Sequence, residues 1–419
     1  VWLKRNADQE EVQKIKDLGH PALGIVEESR RFYPQGDLLA HLLGFTDIDN
    51  QGLEGIELLL NKVLRGRGGK KYTKRDALGR EIKAFEIKEI PAVDGAHVIL
   101  TLDQYVQYLT ERALDRASQQ WKYKGASAIV MEAETGRILA MANRPAFDLN
   151  RYGTSSPDRR RNRAITDMYE PGSVFKIVTA SVALNENLAT PETLFYCEEG
   201  SYRYGSHVLH DVHPYGELSF ADVIAKSSNI GTVKIASLLA PEVFYRYLKQ
   251  FGFGQPTGID LPGEAAGYVR SPKEWSKTSP YNIPIGQEVL VTALQMTTAI
   301  AVIANGGKLV RPYAVSRIQD PAGVILRQKI PVVKQQVIRP ETASIMRDIL
   351  VRAVEEGTGK KAKIPGILAG GKTGTAQKVL PNRRGYSHTN FMSSFVGFAP
   401  ADNPLLVMAV VLDDPKPLY

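Results

Sequence analysis

Ser173 is followed three residues later by Lys176, in the run Pro171-Gly172-Ser173-Val174-Phe175-Lys176. On a helix that spacing puts a hydroxyl and an amine on one face as neighbours. A serine hydroxyl is a poor nucleophile at neutral pH and needs a base within reach. A lysine can be that base if burial and nearby positive charge lower its pKa. Val174, Phe175, Ile177 and Val178 supply the apolar setting. Pro171-Gly172 places Ser173 in a first helical turn, where free N–H groups and the helix dipole favour negative charge. The chemistry is acyl transfer through serine. Alone, the pair is too common a coincidence to assign it.

Two further segments change its weight. Ser227-Ser228-Asn229 follows a helix expected from Phe220 to Lys226, whose start carries a capping-box pattern at Ser219 and Asp222. On a loop there, a hydroxyl and an amide can relay a proton and hold a substrate amide. By itself, a serine pair beside asparagine is an ordinary turn or cap. Lys372-Thr373-Gly374-Thr375 is entered through Gly370-Gly371. Glycine lets a substrate backbone lie against a strand edge, while Lys372 and the threonine hydroxyls can bind a carboxylate.

These residues need elements to position them. The run from Gly172 to Ala183 is apolar nearly all round, the mark of a helix buried in mid-domain. A strand from Ala96 to Leu102 precedes a helix capped by Asp103, with Val106, Leu109, Ala113, Leu114 and Ala117 on its apolar face. Ser127 to Ala133 and Arg137 to Ala142 form a hairpin about Glu134-Thr135-Gly136. Glu341 to Glu356 reads as a helix started at Pro340 and stopped by Gly357, and strands follow at Gly370 to Lys378, Phe391 to Ala399 and Leu405 to Leu412. Hairpin and terminal strands with helices between them imply an antiparallel sheet covered by helices, an α+β layout. Upstream, residues 1–93 hold a helix around Gln9 to Lys16, a short strand at Gly24 to Glu28, a helical run from Ile56 to Val63 and a basic loop from Arg65 to Lys71. This region has no nucleophile–base pair and reads as a support or partner-binding domain.

The chain has 419 residues, 43% hydrophobic, enough for two or three domains. Its single cysteine, Cys197, excludes an internal disulfide and cysteine metal clusters and reads as a small packed residue. The net charge of +8 is read as a solvated basic surface, since no nucleic-acid recognition module is visible. No apolar stretch reaches the roughly 18–20 residues that cross a bilayer. His207, His210, Asp211 and His213 invite a metal reading, but they lie in the run leading to Ser227, and no metal or cofactor is expected. Arg159, Arg160, Arg161 and Arg163 can meet an anionic glycan or form structural ion pairs, and the second is expected. Trp275 and Tyr281 are candidates to line a substrate groove.

In this order, S-x-x-K, S-x-N and K-T-G are similar to the signature of penicillin-binding proteins and class A β-lactamases. Serine at the middle of the second motif, where the signature has aspartate, favours the transpeptidase side. The chain resembles a class B penicillin-binding protein, most like the division-type enzyme, over nearly its whole length. Arg161-Asn162-Arg163-Ala164, Glu170-Pro171-Gly172, Gly252-Phe253-Gly254 and Gly357-Thr358-Gly359 carry the likeness further. Arg30-Arg31, Tyr33-Pro34, His41, Gly52 and Glu54-Gly55 resemble its pedestal domain.

The resemblance implies a pedestal over residues 1–93 and a transpeptidase domain over 94–419, built on a five-stranded antiparallel sheet flanked by helices. It implies catalytic roles for Ser173, Lys176, Ser227 and Asn229, and substrate binding by Lys372, Thr373, Gly374 and Thr375. The implied substrates are peptidoglycan pentapeptide stems derived from lipid II, with β-lactams as their mimics. A glycan polymerase and divisome proteins are the implied partners. Members of this family carry a membrane helix before the pedestal and a helix after the last strand. The chain begins at Val1 and stops at Pro417-Leu418-Tyr419, so both are expected to lie outside it, with the catalytic part on the outer face of the membrane. A D,D-carboxypeptidase or β-lactamase on the same residues, and a β-lactam sensor, are the competing functions. No glutamate motif for activating a deacylating water stands between Asn229 and Lys372.

Overall fold

The computed structural model of the protein describes residues 1–72, 77, 88–205, 207–379 and 385–416; the terminal Pro417-Leu418-Tyr419 lie outside them. Its centre is a five-stranded antiparallel sheet. Strands β1 (Gly125–Glu132) and β2 (Ile138–Arg144) form the expected hairpin, while β3 (Gly370–Val379), β4 (Tyr386–Ala399) and β5 (Leu406–Asp413) come from the other end of the chain. The order across the sheet is β3-β4-β5-β1-β2. Along β1 the alternation of side chains divides the burial. Ile129 and Met131 join the main core, and Ala126 and Ala128 face the opposite layer with Leu114.

Six helices matter for the site. They are α1 (Gln104–Trp121), α2 (Lys176–Asn185), α3 (Phe220–Ala225), α4 (Asn229–Ala236), α5 (Ala293–Ala304) and α6 (Pro340–Glu355). Every residue of α5 is buried, and so is α2 from Lys176 to Leu184. Helices apolar on all sides have nowhere to go but the interior. Buried threonines in α5 return their hydroxyls to its own backbone, Thr297 to Ala293 O at 2.9 Å and Thr298 to Gln295 O at 2.9 Å. Both hydroxyls are thereby satisfied although buried.

Helix α1 departs from expectation. Asp103 caps it as its sequence predicts, accepting from the Tyr105 and Val106 N–H groups. The buried face, however, is Gln107, Glu111 and Leu114, while Leu109 and Ala113 are exposed. Polar partners explain the rotation. Gln107 accepts from Met141 N at 2.7 Å and donates to Glu111 at 2.7 Å, and Arg144 of β2 lies 3.2 Å from Glu111 and 2.5 Å from Asp115. A satisfied polar network has replaced the apolar stripe as the glue between α1 and the sheet.

In the first 93 residues, Gln9–Leu18 is a helix with a complete capping box at Asp8 and Glu11. The run after Gly55 forms two short helices, Gly55–Leu59 and Asn61–Leu64. No strand forms at Gly24 to Glu28. Ile25 and Val26 are exposed there, so neither sheet partner nor core holds the segment. The basic loop instead ends in a short strand, Lys70–Tyr72, paired with Lys88–Ile90. Arg31 binds the buried Glu57 at 2.5 Å. Tyr33, Ala40 and Phe45 form a small cluster with Phe147 and Leu149. Three of the four arginines form ion pairs, Arg160 with Glu54 at 3.3 Å and Arg161 and Arg163 each with Asp158 and Asp167, while Arg159 donates to Ala146 O at 2.5 Å.

Candidate active site

The turn carrying Ser173 is one turn of 3₁₀ helix, Gly172–Phe175, running directly into α2. Glycines let three segments close on it. Gly172 has φ +57°, and a Cβ there would sit 3.1 Å from both Thr375 O and Ala376 Cβ. A Cβ on Gly374 would meet Val174 Cγ1 at 2.8 Å. Strand β3 therefore presses against the nucleophile turn and sets Thr375 beside Ser173. From the other side, Gly286 O accepts from Gly172 N at 3.0 Å. Glu170 ties down the next residues of that strap, accepting from Glu288 N at 2.9 Å and from the Tyr386 hydroxyl at 3.3 Å. Burial holds the Glu170 carboxyl above its usual range.

Lys176 is completely buried. Its ammonium donates to Ser227 O at 2.7 Å, Asn229 Oδ1 at 2.7 Å and Ser227 Oγ at 3.2 Å. Lys372, also completely buried, donates to the same Ser227 Oγ at 2.8 Å and to Thr373 O at 3.0 Å. One hydroxyl oxygen thus lies between two lysines, accepting from both, with its own proton left to give. Burial and then the charge of Lys372 push Lys176 well below its ordinary value, with Asp211 pulling the other way. Burial alone brings Lys372 down to about 7. A lysine so placed can be neutral near neutral pH and act as a base.

The second motif is not on a loop. It is the joint between α3 and α4, with Ser227 in the left-handed region at φ +63° and Ser228 capping α4 by accepting from Gly231 N at 2.9 Å. Asp211 completes the cap: its carboxylate accepts from Ser228 Oγ at 2.5 Å, Asn229 N at 2.5 Å and Ile230 N at 3.1 Å. His210 O accepts from Asn229 Nδ2 at 2.9 Å. Of the histidine–aspartate run, Asp211 and the His210 carbonyl build the second motif, while His207 stacks on Tyr204 and His213 lies against Tyr215. Sequence reasoning missed this role because the cap spans 17 residues, beyond any local capping pattern.

Ser173, Ser227, Asn229, Thr373, Gly374 and Thr375 line a cavity of about 630 Å³, with the buried Lys176 and Lys372 behind that lining. Val212, His213 and Tyr215 form part of its rim, while Trp275 and Tyr281 stay outside it. The Trp275 indole donates to Arg270 O, and Tyr281 stacks on Tyr204 with ring centroids 3.9 Å apart. Gly357-Thr358-Gly359 joins the end of α6 to the site, since Thr373 Oγ1 donates to Thr358 Oγ1 at 2.9 Å. Another cavity, about 600 Å³ beside Asp37, Arg144 and Arg159, has no nucleophile–base pair in its lining. The larger arrangement offers a nucleophile, a buried amine, a proton-carrying hydroxyl and a wall suited to a carboxylate, which together equip it for acyl transfer.

Residues 126–419 match the family described as the penicillin-binding protein transpeptidase domain, and residues 1–100 match the penicillin-binding protein dimerisation domain. Stage V sporulation protein D of Bacillus subtilis is 36% identical over 98% of the chain and 64% of its own length. The peptidoglycan D,D-transpeptidase FtsI of Escherichia coli is 32% identical over 99% of the chain and 68% of its own length. The chain therefore spans about two thirds of these relatives. A crystal structure of penicillin-binding protein 3 from Mycobacterium tuberculosis superposes with a TM-score of 0.83 at 35% identity, covering 93% of this chain and 85% of that one. The same protein has been solved in complex with aztreonam and with ampicillin.

Proposed function

The chain belongs to the class B penicillin-binding proteins, and from that premise we propose that it is a peptidoglycan D,D-transpeptidase working through an acyl-enzyme on Ser173. The observation that carries the reading is Ser227 Oγ held between Lys176 and Lys372. Neutral Lys176 takes the Ser173 proton as Oγ attacks the penultimate D-Ala carbonyl of a stem peptide. Ser227 then delivers a proton to the departing amine, the C–N bond breaks, and the terminal D-Ala leaves. Asn229 holds Lys176 and the substrate amide. Lys372, Thr373 and Thr375 receive the terminal carboxylate, while Gly374 keeps the strand close to the nucleophile turn. The Ser173 and Thr375 N–H groups face the developing oxyanion, where losing one donor costs about 3–4 kcal/mol of barrier. An amine from a neighbouring stem resolves the acyl-enzyme.

The likeness to FtsI and to stage V sporulation protein D supports a septal role. It supports glycan polymerase and divisome proteins as partners, and anchoring in the membrane with the catalytic part outside the cytoplasm. Among the described residues no helix is long and apolar enough to cross a membrane. The first 93 residues serve as a pedestal for the remainder. Pairing of His97–Leu100 with Val315–Gln319 supports placing the boundary ahead of residue 97.

The test is intact-protein mass spectrometry after reaction with a fluorescent penicillin, alongside Ser173→Ala. A long-lived adduct on the wild type and none on the variant is expected. An adduct that survives in Ser173→Ala, or no adduct on the wild type, overturns the reading. Rapid turnover of the penicillin assigns the chain to the hydrolases instead.

A further inference from the structure

We propose that Asp211 is a positioning residue for acylation: through Ser228 and the first turn of α4 it sets Asn229 and Ser227 against Lys176, and its charge acts on that buried lysine. The proposal rests on the transpeptidase reading above. A helix of eight residues capped by Ser228 already has the cap that it needs. The carboxylate does more, since it accepts from the Asn229 and Ile230 N–H groups and from the Ser228 hydroxyl. Charge-assisted bonds of this kind are short and hold their partners tightly. The residue they fix is the one that holds the base, since Asn229 Oδ1 lies 2.7 Å from the Lys176 ammonium.

Asp211 is itself held from behind. It follows the hairpin Ser201–Tyr204 and His207–His210, and its N–H donates to Gly200 O at 3.1 Å. Neighbouring elements bring Lys176, the Cys197 thiol and the Tyr215 hydroxyl toward this carboxylate, with His210 and His213 beside it in the chain. Its field keeps Lys176 more basic than burial and Lys372 alone would leave it. Without that charge Lys176 is still buried beside Lys372 with less to hold its proton, and it loses that proton at lower pH.

The experiment measures the rate of acylation of the intact chain by a penicillin across pH for wild type, Asp211→Asn and Asp211→Glu. The asparagine variant keeps an acceptor and loses the charge. Its acylation is expected to slow by about 10- to 100-fold, the scale of one charged hydrogen bond, and its acid limb to move to lower pH. Asp211→Glu keeps the charge and displaces it, so its rate falls while the limb stays in place. A slow Asp211→Asn with an unmoved limb means an ordinary cap and overturns the proposal, as does wild-type acylation by both variants. If Asp211→Asn does not fold, Asp211→Glu decides alone, with a wild-type rate overturning the proposal. Wild-type protein that takes no adduct on Ser173 would sink the transpeptidase reading instead, and the two failures are thereby distinct.

Discussion

Replacing Gly286 by alanine should disable the nucleophile turn more than it destabilises the fold elsewhere. Gly286 has φ +82°, and a Cβ there would lie 2.2 Å from Gly172 O, 2.7 Å from Gly172 N and 2.8 Å from Gly172 C. All three atoms are backbone, so no side chain can swing away. The left-handed conformation costs an alanine about 1–2 kcal/mol. Forcing a methyl group into filled space adds about 1–3 kcal/mol, and loss of the bond from Gly172 N to Gly286 O adds about 1 kcal/mol. The total is roughly 3–6 kcal/mol if nothing moves. If the strap and turn instead separate by about 1 Å, Ser173 leaves its attack geometry and acylation falls by about 100-fold. The control is Gly323→Ala, at φ +87° with nothing within 4 Å of its Cβ, which bears only the conformational cost. Thermal unfolding and penicillin acylation of both variants separate the two contributions. Should Gly286→Ala match Gly323→Ala in both, the strap does not position the nucleophile.

Lys372→Met should stabilise the fold while abolishing acylation. Burial lowers the Lys372 pKa from 10.5 to about 7, so between those values the unfolded chain binds the extra proton and stability rises with pH. The penalty is fully present below about pH 7 and fades toward 10.5, so the variant's gain, on the order of 2–4 kcal/mol, is largest in mild acid and shrinks in alkali. Melting temperatures of both proteins across that range check the sign, and a gain that grows with pH refutes it. Gln107→Leu orphans the Met141 N–H and leaves Glu111 short of a partner inside the protein. A loss of about 2–4 kcal/mol is expected, read by denaturant unfolding, with the acylation rate of the folded fraction unchanged.

The outline of the site was legible from three short segments because each is local chemistry. Ser173 and Lys176 stand one turn apart, and that is fixed once the apolar run around them becomes a buried helix. The central hairpin and the three closing strands were legible for a similar reason, since alternation and turn residues act over a few positions. Helix α1 was legible as a helix but not in its orientation. Its buried face is set by Gln107 and Glu111 answering groups on β2, and hydropathy counts such residues as outward-facing. The same limit hid Asp211, whose partners belong to another helix, and Glu170, whose partners lie on the strap and on β4.

The sequence by itself determined which functional groups the protein has and in what order, and so the kind of reaction it can run. Only the tertiary structure decided how those groups are tuned. Ser227 becomes a shared acceptor because α2, the α3–α4 joint and β3 converge on one point. Lys176 and Lys372 lose basicity because that convergence buries both beside each other. Burial and the field of a distant charge are properties of packing in three dimensions, and no spacing along a chain contains them.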